Sequence, residues 1–239
     1  MQDQFSFFSI GNLLIPCLNS ERSPSKLETD QSVCCMKPDK PESEGSDTKT
    51  RILEAAASVF ASKGYHDTRI DDIVEASGSS KGGFYFHWPS KEKIFLSLID
   101  TFADLLEDRL RERLAVARGG IGRLDAALGV CVETFGKYRS LAKIAIVQAA
   151  GLGLTFETQR RRVEDRFVAI IRENLAAAIA DGSIPPIDPE IAAMVWMGAL
   201  DGIVMRWIQT GSPDPQVALP SIRAILLRSI GIADGRIIS

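Results

Sequence analysis

The stretch TRIDDIVEASGSSKGGFYFHWPSKE, residues 68 to 92, decides how this chain is read. Ile70, Ile73 and Val74 fall at i, i+3 and i+4, one apolar stripe of a short helix over Arg69 to Ser77. Thr68 reads as its N-cap, with Asp71 three residues on completing a capping box in which Asp replaces Glu. Gly78 supplies a left-handed turn. Ser79 or Ser80 caps the next helix, which Trp88-Pro89 ends, because proline pushes the residue before it out of helical geometry.

A short helix, a tight glycine turn and a second short helix opening on polar residues make a helix-turn-helix, whose second helix enters the major groove. Lys81 opens that helix, within reach of a guanine edge or a phosphate. Gly82 and Gly83 have no side chains, so the helix start can approach a duplex and aim its N–H groups at phosphate. Tyr85 and His87 offer phosphate hydrogen bonds, and Lys91 and Lys93 further charges. Residues 79 to 93 hold three lysines against Glu92, a local net charge of +2, whereas the whole chain carries −3. Affinity for DNA must therefore be local, since the chain is no polycation.

Working outward, the segment from Lys49 to Lys63 places Ile52, Leu53, Ala56, Val59 and Phe60 on one stripe, and Gly64 stops it. Ser90 caps a long fourth helix with Ile94, Leu98, Phe102, Leu105, Leu106, Leu110 and Leu114 along one side. Arg118-Gly119-Gly120 breaks it, and five more helical segments follow: Gly122 to Tyr138, Ser140 to Gly151, Thr155 to Asp181, Pro189 to Gln209 and Pro215 to Ile230. The fold class is all-α with about nine helices and no convincing strand. Three regions are expected: a disordered extension over 1 to 47, a helix-turn-helix DNA-binding domain over 48 to 93, and a second helical domain over 94 to 239. The extension carries 4 basic and 8 acidic residues and no sustained period.

Composition narrows the function classes. With 45% hydrophobic and 25% charged residues, the 239-residue chain is of ordinary globular type. Four cysteines, three within the first 35 residues and none in zinc spacing, point to a reducing, cytoplasmic compartment and to no metal. The apolar run Phe5 to Leu18 mimics a signal-peptide core but lacks a preceding Lys or Arg, and the greasy stretch Ile191 to Met205 contains Asp201, so no membrane role is expected. Gly78-Ser79-Ser80-Lys81-Gly82 satisfies the nucleophile-elbow pattern of serine hydrolases. That elbow needs a strand before the serine, whereas a helix precedes Gly78, and no histidine follows His87. An enzyme is therefore not expected, nor a cofactor. A helical scaffold without DNA binding is the other alternative to a regulator.

Four blocks, in order and spacing over about Lys49 to Ile99, closely resemble the TetR/AcrR family of bacterial one-component regulators: residues 50–56, 60–65, 68–73 and 80–92. The resemblance implies an all-helical homodimer that binds a double-stranded DNA operator through its N-terminal domain and a small-molecule effector through its C-terminal domain. Its DNA contacts would come from Thr68 and Arg69 at the start of helix 2, from Ser80, Lys81, Gly82, Gly83, Tyr85 and His87, and from Lys91, where a phosphate is usually held. Asp71 stands where many members carry a basic residue, and Gly83 where threonine is usual. The Pro189 to Gln209 helix, apolar almost all round, would pair with the last helix in a four-helix dimer bundle. Aromatic residues expected at the ligand cavity are Phe102, Phe135, Tyr138, Phe156, Phe167 and Trp196. Arg160, Arg161, Arg162 and Arg166 read as a solvated face paired with Glu157, Glu164 and Asp165, or else as a dock for an acidic ligand. The segment Trp196 to Gly211 looks like family members that sense fatty acyl-CoA.

Overall fold

Nine α-helices and one π-helical turn make up the described residues, 42 to 232, of a computed structural model. Residues 1 to 41 of the expected 1-to-47 extension, and residues 233 to 239, lie outside them. Helix α1 (Glu42–Lys63) starts earlier than the apolar stripe, taking in part of the segment assigned to the extension. The stripe could not reveal those first turns because no apolar residue marks them. Helices α2 (Ile70–Ser77) and α3 (Lys81–His87) follow, with Gly78 left-handed at φ 61° between them. The cap of α2 is Arg69, not Thr68, and Asp72, not Asp71, closes its capping box by accepting the Arg69 N–H at 2.8 Å. Thr68 is drawn inward instead, with its hydroxyl donating to the Gly64 carbonyl at 2.6 Å.

Helix α4 (Lys91–Val116) is capped by Ser90, and its 26 residues run roughly 39 Å, long enough to serve both halves of the molecule. Helix α5 (Gly119–Lys137) begins inside the glycine pair rather than after it. Gly120 packs so closely on α7 that a Cβ there would lie 2.5 Å from Ala178 Cβ and 2.7 Å from its Cα. The segment expected as one helix from Ser140 to Gly151 is a single turn, α6 (Arg139–Ala142), running into the π turn (Lys143–Gln148). Helices α7 (Leu154–Ala180), α8 (Pro189–Thr210) and α9 (Pro215–Ser229) complete the described residues, the last two opened by Asp188 and Asp214 with proline in the first turn.

One core holds the N-terminal helices onto α4. Ile52, Ala56 and Phe60 of α1, Ile73 of α2 and Phe84 of α3 are fully buried there. An aromatic cluster extends that core across the two halves. Phe95 of α4 lies 5.0 Å from both Phe60 and Tyr65, and Phe156 of α7 lies 5.1 Å from Tyr65 and 5.5 Å from Phe95. A second core joins α5, α7, α8 and α9 around Leu175, Trp196 and Leu227.

Helix α8 is long and apolar enough to cross a membrane by composition alone. Trp196, Leu200, Val204 and Trp207 bury one side of it, and Ile191, Met194 and Val195 leave the other more than half exposed.

Candidate functional site

The helix-turn-helix presents a mixed polar and aromatic surface. Ser80 caps α3, its Oγ accepting the Gly83 N–H at 3.0 Å, and Ser79 pairs instead with Ser77 at 2.8 Å. Phe84 points into the core, so the helical phase turns Lys81, Gly82, Tyr85 and Phe86 outward. Tyr85 is 48% exposed and Phe86 83%. The Phe86 ring meets the His87 ring edge-on at 5.0 Å and is otherwise open to solvent, and the sequence reading did not count it among the DNA contacts. His87 is half-buried against Trp88, and Arg69 is exposed at the start of α2. Lys81 forms an ion pair with Asp71 at 2.7 Å, both side chains largely exposed. That carboxylate hydrogen bond, together with Asp71's charge, raises the Lys81 pKa.

Two residues expected at this surface are placed elsewhere. Thr68 is 1% exposed, so its side chain is not presented to DNA. Lys91 turns back into the protein. Its Nζ donates to the carbonyls of Tyr65 at 2.8 Å, His66 at 3.3 Å and Thr68 at 2.9 Å, and stands 4.5 Å over the Tyr65 ring. An ammonium has three N–H donors, so Lys91 is saturated. It holds the α1–α2 turn and has no donor left for a phosphate. Its position at the head of α4 was legible; the three carbonyls gathered around it were not, because they come from a turn more than 20 residues away.

A cavity of about 90 Å³ lies between α4, α5, the π turn, α7 and α8. Phe102, Phe135, Phe167 and Trp196 line it as expected. Tyr138 does not; its ring sits near Lys137 and Arg109. Phe156 does not either, since it belongs to the aromatic cluster with Tyr65 and Phe95. Arg160, Val163, Glu164, Phe167, Ile170, Ile171 and Asn174 recur at helical spacing along one wall, which is therefore a single face of α7.

Polar groups are few and sit apart. At one end Arg160 pairs with Glu157 at 3.4 Å and Glu164 at 3.1 Å, and Asp201 of α8 stands beside them. Burial, reinforced by the Glu164 charge, pushes the Asp201 carboxyl up to about 6. At the other end Asn174 is 8% exposed. Burial also pushes the Cys131 thiol in the cavity wall up to about 12, which keeps it protonated and unreactive. Arg166 is spent on Asp104 and Glu107 of α4, while Arg161 and Arg162 face solvent. Arg160 thus has the partners expected for a paired surface, although it also reaches the cavity, whereas Arg166 is paired across to α4 and not with the acids of its own helix.

The π turn connects the two sites. Ala145 and Ile146 form part of the cavity wall, while Lys143 Nζ donates to the Ala61 carbonyl at 2.6 Å and Gln148 Nε2 to the Phe60 carbonyl at 2.8 Å. Those carbonyls belong to the last turn of α1, the helix against which α2 and α3 pack. Nothing in the periodicity of residues 140 to 151 distinguished this segment from an ordinary helix.

Residues 52–98 match the family of "Bacterial regulatory proteins, tetR family". The Bacillus subtilis helix-turn-helix transcriptional regulator YfiR is 30% identical over 66% of this chain and 78% of its own length. YdgC, another such regulator from Bacillus subtilis, is 27% identical over 72% of this chain and 87% of its own. Among solved structures, the transcriptional regulator FadR from Bacillus subtilis in complex with stearoyl-CoA superposes with a TM-score of 0.69 at 21% identity, covering 77% of this chain and 100% of that one. That likeness is one of fold. Together with the helix-turn-helix described above, the YfiR match and the family motif place this chain in the TetR family of bacterial transcription regulators, a family of DNA-binding proteins rather than enzymes.

Proposed function

We propose that the protein is a dimeric repressor that binds a palindromic operator through α3 of each subunit and releases it when a small, largely apolar ligand occupies the cavity. The observation that carries this reading is the π turn, which forms cavity wall with Ala145 and Ile146 and holds the end of α1 with Lys143 and Gln148. A ligand that displaces that wall must shift or break those two hydrogen bonds, and so moves the frame on which α3 stands.

Dimerisation is supported by a face of α8 and α9 with no partner in the monomer. Ile191, Met194, Val195, Val217 and Ile225 are each more than half exposed. A Cβ on Gly198 or Gly202 would meet nothing within 4 Å, so a second helix can approach closely there. An exposed apolar face of this kind can pack on its own copy across a twofold axis. Lys81, Tyr85, Phe86, His87 and Arg69 are the DNA contacts this reading assigns, with the backbone at Ser80, Gly82 and Gly83.

The phosphates of a fatty acyl-CoA would call on the arginine face, where Arg160 and Arg166 are paired with carboxylates and Arg161 and Arg162 are exposed.

Footprinting of the DNA upstream of the protein's own gene tests the proposal. Protection should be twofold symmetric, with half-sites one or more helical turns apart. A single unsymmetric site would refute the dimer on a palindrome, and absence of protection would favour a scaffold without DNA binding.

A further inference from the structure

Asn174 is the polar group of the cavity wall that the fold leaves unfinished. Its Nδ2 donates to the Ile170 carbonyl one turn back at 2.8 Å. That bond fixes the amide orientation, because a carbonyl can only accept and the NH2 must therefore face it. Oδ1 is left turned away from its own helix, buried and without a hydrogen-bond partner. Neighbouring donors do not relieve it. The Trp196 indole N–H is given to Ser229 Oγ at 3.2 Å, and the protonated Cys131 thiol makes no hydrogen bond to it. A buried acceptor without a donor is costly, and native proteins seldom keep one.

We infer that the effector places a hydroxyl group, carried on an apolar body, against Asn174, and that Asn174 Oδ1 accepts its hydrogen bond. This rests on the reading of the cavity as the effector site and names the chemistry of its deep end. A carboxylate or phosphate has no donor to offer there and would face an oxygen. An ammonium would be stripped of water with no opposite charge beside it, since Glu164 is about 15 Å away along α7 at 1.5 Å per residue. A saturated hydrocarbon end would leave the oxygen unpaired. A neutral hydroxyl meets every condition, and the rest of the molecule then lies along Ile170, Phe167 and Val163 towards the more exposed end, where Arg160 and Glu164 have side chains about one-third exposed.

The test uses four ligands of one chain length: octanol, heptyl methyl ether, octylamine and octanoic acid. Binding to the full-length protein is measured by titration calorimetry. Octanol should bind the wild type about tenfold more tightly than the ether, which has the same shape and no donor, and more tightly than the amine or the acid. In Asn174→Leu, and in Asn174→Ala as a second variant that adds no bulk, octanol and ether should bind within about twofold of each other. Circular dichroism checks that both variants are folded. Equal binding of octanol and ether to the wild type would overturn the inference, as it would if a bound water already satisfied Oδ1. Tightest binding by the amine or acid, or an octanol preference that survives both substitutions, would overturn it as well. If none of the four binds the wild type, the cavity reading itself fails; if they bind without discrimination, only the hydroxyl assignment does.

Discussion

Replacing Lys91 with methionine separates two roles for this lysine, a phosphate contact and an internal clamp. Methionine keeps most of the aliphatic stem and removes the ammonium. Three carbonyls, of Tyr65, His66 and Thr68, lose their shared donor, and two of the three bonds, at 2.8 and 2.9 Å, are partly buried. Hydrogen bonds to a charged group are worth about 1.5–3 kcal/mol each, but water can replace the longer, exposed one, so the sum is about 2–4 kcal/mol. For a chain of this size that lowers the melting temperature by about 5–12 °C. Thermal and denaturant unfolding of the full-length protein measure the loss. Binding to operator DNA should weaken at the same time, because the turn before α2 loosens, yet the slope of log affinity against log salt should stay unchanged. A lysine that neutralises a phosphate would release about 0.9 counterion per subunit and flatten that slope accordingly when removed. A variant of unaltered stability with a slope reduced by about one per subunit would refute the clamp and restore the phosphate contact.

Further outcomes can be checked in the same preparations. Asp71→Asn frees Lys81 from its carboxylate and should tighten operator and random DNA alike with a steeper salt dependence, whereas Lys81→Ala should weaken the operator about tenfold and random DNA much less; competition binding at several salt concentrations measures both. Because the Asp201 carboxyl rises to about 6 on folding from about 3.9 unfolded, the folded state binds more protons between those values, and this group's contribution makes stability fall as pH rises through that window. Relative to Asp201→Asn, the wild type should lose about 2–3 kcal/mol between pH 4 and pH 7, and parallel denaturation curves would contradict it. Gly120→Ala drives a methyl into the Ala178 backbone and should cost about 1–3 kcal/mol in urea unfolding. Lys143→Met should leave ligand binding to the cavity intact while reducing the ligand's effect on DNA affinity, as read by titrating effector against a labelled operator.

The sequence by itself determined the helix-turn-helix and most helix positions. Gly78, Ser80, Pro89, Asp188-Pro189 and Asp214-Pro215 set ends by local backbone chemistry, and the apolar stripes of α1 and α4 need only a period to be read. Four of the six aromatic residues proposed for the cavity were also legible, because helical phase turns Phe102, Phe135, Phe167 and Trp196 inward. Phase does not say which interior a side chain enters. Phe156 and Tyr138 have the same signature and pack elsewhere, since their surroundings are set by α4 and by the turn after α1, distant in the chain. Only the tertiary structure decided the fate of the polar groups. Lys91 and Thr68 looked like DNA contacts because their positions lie beside the motif, but carbonyls exposed at the end of α1 and in the turn after it need donors, and these two supply them. The same need explains Lys143 and Gln148, which answer the carbonyls of Ala61 and Phe60 from more than 80 residues away. A hydrogen-bond partner brought together by folding leaves no trace in spacing along the chain, which is why the apolar frame was readable in advance and the polar connections between the two sites were not.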